Sequence, residues 1–512
     1  MIHRYFVPLL FLSLATAAQV STPEERAARY LESVRHQPLL LHAFLYEMPK
    51  GGDLHNHLVG AVYAESYIQY AAEDALCVDL QTMALEQPPC DPKARPAARA
   101  ALDNPLLYRQ MVDAFSMRDF QASTQPEVPG EPAFGSLGSA HDHFFASFLK
   151  FFPVTNTHRG DFLAEVVSRA AAQNEQYLEL LVEVLGPAID LAKQLSWTGD
   201  FDYARQALLA ADLNDAVAGA RHALDEAESQ MRSRLRCGTP QAEPGCRVTV
   251  RYISTVLRGF PPAQVFAQVL GGFELASRDP RVVSVNPAMP EHDYIPRHDF
   301  SLHMKMFDYM HWLYPKVRVT MHAGELAPGL VPPEDLRSHI RDSIEVGHAE
   351  RIGHGVDVMY ESDPIALLRE MAERKVMVEI CLTSNEVILG VRGPRHPLPL
   401  YIKYGVPVAL ATDDEGVSRS DMTREYQRAV EDFGLSYADL KVMARTSLEH
   451  AFLPGASLWA QTAPFKASAA CAGDTPGTPQ PSSACRNLLQ SSERARVQWE
   501  LEGAFLRFEK KF

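Results

Sequence analysis

The chain has 512 residues, 46% hydrophobic and 22% charged, an ordinary globular composition with room for a large core and more than one module. A formal net charge of -15 speaks against a nucleic-acid-binding surface. The seven cysteines include no CxxC pair, so nothing points to a thiolate zinc site.

Residues 1–18 read as a secretory signal peptide. His3 and Arg4 give a weakly basic start, Tyr5 to Ala15 is apolar, and Ala15-Thr16-Ala17 suits a small-residue cleavage site. The apolar run is short for a membrane anchor, and no later segment is long and apolar enough to cross a bilayer. The expectation is an exported protein, periplasmic or secreted, with no membrane attachment after cleavage. Residues 19–48 form an N-terminal helical extension, helical in pattern from Thr22 to Met48.

Pro49 and Lys50 introduce GGDLHNHLVG, a glycine-punctuated apolar run that reads as a first strand, and Ala61 to Ala75 follows as a helix. From about residue 77 to 139 prolines and glycines accumulate and periodicity weakens, which marks an insertion after the first strand. His141 to Phe152 and Asp161 to Gln173 read as helices. Seven further strands follow at Tyr177–Val184, Val248–Val256, Val282–Val285, Val317–His322, Arg351–His354, Val376–Cys381 and Pro407–Thr412, with helical patterns between most of them. Eight strands in βα alternation predict a (β/α)8 TIM barrel over residues 49–460. An open doubly wound sheet is the alternative, weakened by the lack of a glycine-rich dinucleotide or phosphate loop. Residues 461–512 read as a low-complexity loop, Gln461 to Ala484, and a charged helix. Cys77 and Cys90, Cys237 and Cys246, and Cys471 and Cys485 each bracket a short loop and are expected to pair in an oxidising space; Cys381, inside VMVEIC, is expected to be a buried thiol.

Barrel chemistry sits at the C-terminal ends of the strands, and the residues expected there are specific. His55 and His57 end the first strand and share a face by alternation. His322 and Glu325 end the fifth, in MHAGE: the imidazole can bind a metal, the glycine lets backbone come close to a substrate, and the carboxyl can move a proton. His354 ends the sixth, and Asp413 and Asp414 follow the eighth. Three histidines and one aspartate from three strand ends suffice for one zinc. A second His-x-His, His141 and His143, precedes an aromatic helix and reads as a helix cap or pocket rim; Asp413-Asp414 taken alone could be a helix N-cap pair.

KGGDLHNHL, MHAGEL, ERIGHG and ATDDEG, in this order, resemble the adenosine deaminase family of metal-dependent hydrolases, and MPKGG, the signal peptide and the cysteine-bracketed insertion resemble its secreted growth-factor branch. The resemblance implies one Zn2+ per chain held by His55, His57, His322 and Asp413. It implies Glu325 as proton donor to the purine ring, His354 as the group that orients the attacking water, stabilises its charge and can take its proton, and Asp414 as a hydrogen-bond partner of purine N7. It further implies deamination of adenosine or a related 6-aminopurine, and for this Glu325 needs a pKa raised by burial. The expected partners are a small-molecule purine and, for assembly, a second copy of the chain. Two positions depart from the family pattern. Leu58 and Val59 stand where family members commonly carry an acid for a ribose hydroxyl, and Met289 stands where the family often has a glycine whose N–H serves the purine. Two other readings stay open: the same metal chemistry on another cyclic C–N substrate, and an adenosine-binding, growth-factor-like protein that has lost turnover.

Overall fold

The structure, a computed structural model, describes residues 21–120 and 139–512. The expected signal peptide, residues 1–18, lies outside the described residues, as does the part of the insertion over 121–138.

Eight parallel strands pair in chain order: β1 (Gly51–His57), β2 (Glu175–Val182), β3 (Thr249–Leu257), β4 (Val282–Ala288), β5 (Arg318–Ala323), β6 (Arg351–His354), β7 (Met377–Ile380) and β8 (Val408–Leu410). The seam between β1 and β8 is closed by an isolated parallel bridge between Asn56 and Asp413. There His57 N–H donates to Asp413 O at 3.0 Å and Asp413 N–H to His55 O at 2.9 Å. This is a (β/α)8 TIM barrel. Its strands are buried on both faces because helices cover the outside, which is why they read as near-continuous apolar runs. The helix Pro262–Arg278, which packs on β3 and β4, is itself buried along most of its length.

The departures from the sequence reading have local causes. The N-terminal extension is two helices, Pro23–Val34 and Pro38–Glu47, because Pro38 has no N–H to continue the first helix and instead starts the second. Thr22 and Glu25 close a reciprocal cap on the first. The stretch over 188–236 breaks into the helices Gly186–Ala192, Phe201–Ala210 and Leu213–Arg234. The described part of the insertion carries a short ribbon, Cys77–Val78 with Leu85–Glu86, and the helix Pro105–Ala114, capped by Asn104. Residues 461–484 are not a plain loop. Trp459–Thr462 and Phe465–Ala467 form a hairpin, and the helices Ser483–Ser491 and Glu493–Glu509 follow it. A small separate core of Leu458, Trp459, Trp499 and the Cys471–Cys485 bridge holds this unit, a long-range contact with no periodic signature. The other two expected disulfides, Cys77–Cys90 and Cys237–Cys246, are present as well, and Cys381 is a buried free thiol.

Candidate metal centre and active site

Strand alternation brings His55 and His57 to one face of β1, and the closed barrel brings β5 and the end of β8 against them. His322 Nε2 lies 3.1 Å from His55 Nε2 and 3.0 Å from His57 Nε2. Asp413 Oδ1 lies 3.3 Å from Nε2 of both His55 and His57. Donors about 2.0–2.2 Å from a shared tetrahedral ion stand about 3.4 Å apart, and these four separations of 3.0–3.3 Å are of that order.

Hydrogen bonds behind the cluster fix which atoms face inward. His55 Nδ1 donates to Glu379 Oε2 at 2.7 Å and His322 Nδ1 to Asn286 Oδ1 at 2.6 Å, which leaves both Nε2 lone pairs for an ion. The Ser384 hydroxyl donates to Asp413 Oδ2 at 2.6 Å, while Asp413 Oδ1 is buried with no hydrogen-bond partner among the described residues. The charges agree. Burial alone would lower the His55 pKa, but Asp413 and Glu379 outweigh it and raise it to about 10. Burial pushes His57 down to about 4 and His322 well below the usual range, so both are neutral imidazoles suited to a metal. His354 also has a ring nitrogen close to those of His55 and His322 and to Asp413. It is the poorer ligand, because its Nε2 lies 3.7 Å from Glu325 Oε1 and, as argued below, carries a hydrogen.

Around the cluster stand the other expected residues. Gly324 adopts a φ of +72°, and a Cβ there would come 2.5 Å from Asp357 Oδ1, so only glycine makes the turn that presents Glu325. The buried Glu291 clamps this turn. It accepts from the N–H of Gly324 at 3.2 Å and of Glu325 at 2.8 Å, and its Oε1 bonds His339 Nδ1 at 2.6 Å. Burial, then the charges of Asp413 and Glu291, raise the Glu325 pKa well above the carboxylate range. Asp414 is raised by burial and by Asp413, and its Oδ1 is buried without a hydrogen-bond partner among the described residues. Gly60 leaves it room, since a Cβ there would sit 1.6 Å from that oxygen.

Met289 follows β4 with a φ of 104°, a conformation that favours glycine. Its Sδ accepts from Gly259 N–H at 3.3 Å, and its carbonyl accepts from Arg258, whose other Nη donates to His322 O at 3.1 Å. His354 and Asp413 are also left-handed, with φ of 74° and 59°. Three strained non-glycine residues at one site mark a functional centre rather than a packing core. His141 and His143 do not join it as caps: Ser139 caps their helix, and His143 Nε2 donates to Ser116 O at 3.0 Å. Asp414 occupies the N-cap position of the short helix Glu415–Ser418 but makes no capping bond.

Sequence reading passed over the supporting residues Glu291, Asn286, Glu379, Ser384 and Asn385. They lie inside apolar strands or on a short helix and form no motif. It also passed over Glu183, which follows β2, is half-buried, and is raised by burial to about 7. Leu58 N–H donates to Leu181 O at 3.1 Å, so Glu183 stands on the strand end beside the position where an acid was expected and Leu58 and Val59 were found.

A sequence model described as Adenosine deaminase matches residues 165–458. The chain belongs to the adenosine deaminase family. The adenosine deaminase of Serratia proteamaculans is 38% identical over 138 residues, 27% of this chain and 38% of the relative. The adenine deaminase of Rhizobium leguminosarum is 34% identical over 137 residues, 26% and 39% of the two chains. The matched segment thus spans under two fifths of these family members. Among solved structures, the adenine deaminase of Arthrobacter aurescens superposes with a TM-score of 0.51 at 17% identity, covering 79% of this chain and 94% of that one. The apo N6-methyl-AMP deaminase of Arabidopsis thaliana gives 0.51 at 18% identity, covering 81% and 94%. At such identities the likeness shows the (β/α)8 fold alone and says nothing of the substrate.

Proposed function

We propose that the chain is an exported, zinc-dependent aminohydrolase that converts adenosine or a related 6-aminopurine nucleoside to the 6-oxo product and ammonia. The observation that carries this reading is a buried carboxyl, Glu325, whose Oε1 lies 3.7 Å from His354 Nε2 beside the cluster of His55, His57, His322 and Asp413, and whose pKa burial raises. His55, His57, His322 and Asp413 would hold the metal. Zinc suits their nitrogen and carboxylate donors and, when bound, lowers the pKa of water from 15.7 to about 7. Water adds at C6 as Glu325 gives its proton to the adjacent ring nitrogen; of water's two protons one restores Glu325 and the other passes to the amino group, which leaves as ammonia. His354 directs an N–H at the attacking oxygen. Asp414 meets N7, a pure acceptor, and the same burial that raises its pKa keeps a proton on it for that bond. Glu183 is placed to take a ribose hydroxyl. Export is supported by three disulfides, which persist in oxidising compartments, and by the apolar start of the sequence.

Glu325→Gln tests the reading. It keeps the shape but cannot give a carboxyl proton, so metal content and purine binding should remain while turnover falls by about 10²–10⁴-fold. Loss of the metal would make Glu325 a ligand. Near-normal turnover with metal retained, or no ammonia from any 6-aminopurine with the intact protein, would overturn the proposal.

A further inference from the structure

At the other end of the barrel, the N-terminal ends of β5, β6 and β7 open on a cavity of about 380 Å³. Arg318 and Arg351 begin β5 and β6, whereas His322 and His354 lie at the far ends of the same strands, roughly 10–13 Å away at about 3.3 Å per residue. The cavity is therefore distinct from the metal cluster.

Its charges do not cancel. Arg318 is paired with Glu350, Arg374 with Glu370 at 2.8 Å, and Arg351 with Glu179 and Glu379 at 2.6 and 2.7 Å. Lys375 and Arg494 also line the wall, and among the described residues neither has a carboxylate within ion-pair distance. Arg494 donates Nε and Nη2 to Leu453 O at 3.3 and 3.0 Å, so Nη1 has no protein acceptor among the described residues. Glu449 also lines the cavity, where the Ser457 hydroxyl and Gln498 Nε2 both donate to its Oε2 at 2.6 and 2.7 Å, and its one negative charge offsets only part of the charge of these two cations. His450 adds a half-buried imidazole whose ring makes no hydrogen bond among the described residues. Burial and the surrounding cations of Arg351, Arg494, Lys375 and Arg318 hold it at about 3, so it is a neutral N–H donor. The Phe452 ring packs 4.5 Å from the Arg318 guanidinium and 4.0 Å from that of Arg351, which stiffens the floor. On a chain of net charge -15, two unpaired cations and a neutral donor around one cavity stand out.

A guanidinium, an ammonium and an imidazole lining one cavity match the charge and donor chemistry that a tetrahedral oxyanion needs. We propose that this cavity binds a phosphate-type oxyanion, either inorganic phosphate or the phosphomonoester of a small sugar or nucleotide. The inference does not depend on the reaction at the metal cluster.

Calorimetric titration of the full, metal-loaded chain with inorganic phosphate tests it, with ribose 5-phosphate and ribose as parallel arms. One phosphate per chain is expected, with affinity falling as salt rises. Lys375→Gln and Arg494→Gln should each weaken binding about tenfold, the cost of one charge-assisted hydrogen bond. Lys375 is exposed, so its variant should keep the thermal midpoint and purine turnover of the parent. Ribose 5-phosphate binding as well as phosphate would identify a phosphomonoester site, and phosphate binding alone would identify a free-anion site. No saturable binding of either below about 10 mM, or binding that both variants leave unchanged, would overturn the proposal.

Discussion

The side-chain amide of Asn385 donates to His354 Nδ1 across 3.0 Å. That bond decides which nitrogen of His354 carries its hydrogen, and it is anchored by a donor that cannot change sides. The backbone N–H of Leu398 donates to His396 Nδ1 at 3.1 Å, so the hydrogen of this neutral ring is on Nε2. Burial lowers His396 to about 3 and keeps it neutral. His396 Nε2 then donates to Asn385 Oδ1 at 3.0 Å, which turns the Asn385 amide nitrogen toward His354. His354 is left with Nε2–H directed at the cluster, which on the proposed reaction would make it a donor to the attacking oxygen and not the acceptor of its proton.

Asn385→Ala removes this relay and frees His354 to take the other tautomer. The expected outcome is a fall in kcat of about 10–100-fold with KM and metal content little changed, read by steady-state kinetics and metal analysis on the same preparation. An unchanged kcat would mean that the tautomer of His354 has no part in the rate.

The relay shows where sequence reading stops. The eight strands, His55, His57, His322, Glu325, His354, Asp413 and Asp414 were legible because strand-end polar residues interrupt apolar runs at βα spacing. Asn385 and His396 were not, since nothing in LTSNEV or GPRHP marks a polar side chain aimed at another strand's histidine. The C-terminal hairpin escaped for a similar reason: Trp459 finds Trp499 and the Cys471–Cys485 bridge only after folding. Met289 was legible as an oddity, but its left-handed backbone could be seen only in the structure.

Glu183→Gln should separate the sugar from the base. If this acid accepts a ribose hydroxyl, KM for adenosine rises about tenfold, while values for 2′,3′-dideoxyadenosine stay near those of the parent. Equal effects on both nucleosides would remove Glu183 from sugar recognition.

Glu361 carries a pH dependence whose sign can be stated. Burial raises its carboxyl to about 7 against the N–H donors of Ile340 and Arg341, and its Oε2 is buried without a hydrogen-bond partner among the described residues. The folded chain binds this proton more tightly than the unfolded chain, whose carboxyl titrates near 4.5. Stability from this site is therefore lost as pH rises from the unfolded value through the folded one. Glu361→Gln does not titrate, so its stability relative to the parent should rise by more than about 1 kcal/mol between pH 5 and 7.5, measured by denaturant unfolding. A constant difference would mean that Glu361 titrates normally.

β1 and β8 meet, among the described residues, through the single bridge of Asn56 with Asp413, and the cation cluster draws ligands from both sides of that seam. An ion held there is a clasp on the cylinder. β1 leaves the ribosome early and must wait for nearly the whole barrel before its last neighbour arrives, so closure is a costly long-range step in folding. A bound cation makes that step harder to reverse. Chelation should therefore first speed deuterium uptake at the amides of His57 and Asp413, the two donors across the seam, while amides between β2 and β3 stay protected. The same four ligands that would activate water would also keep the barrel shut.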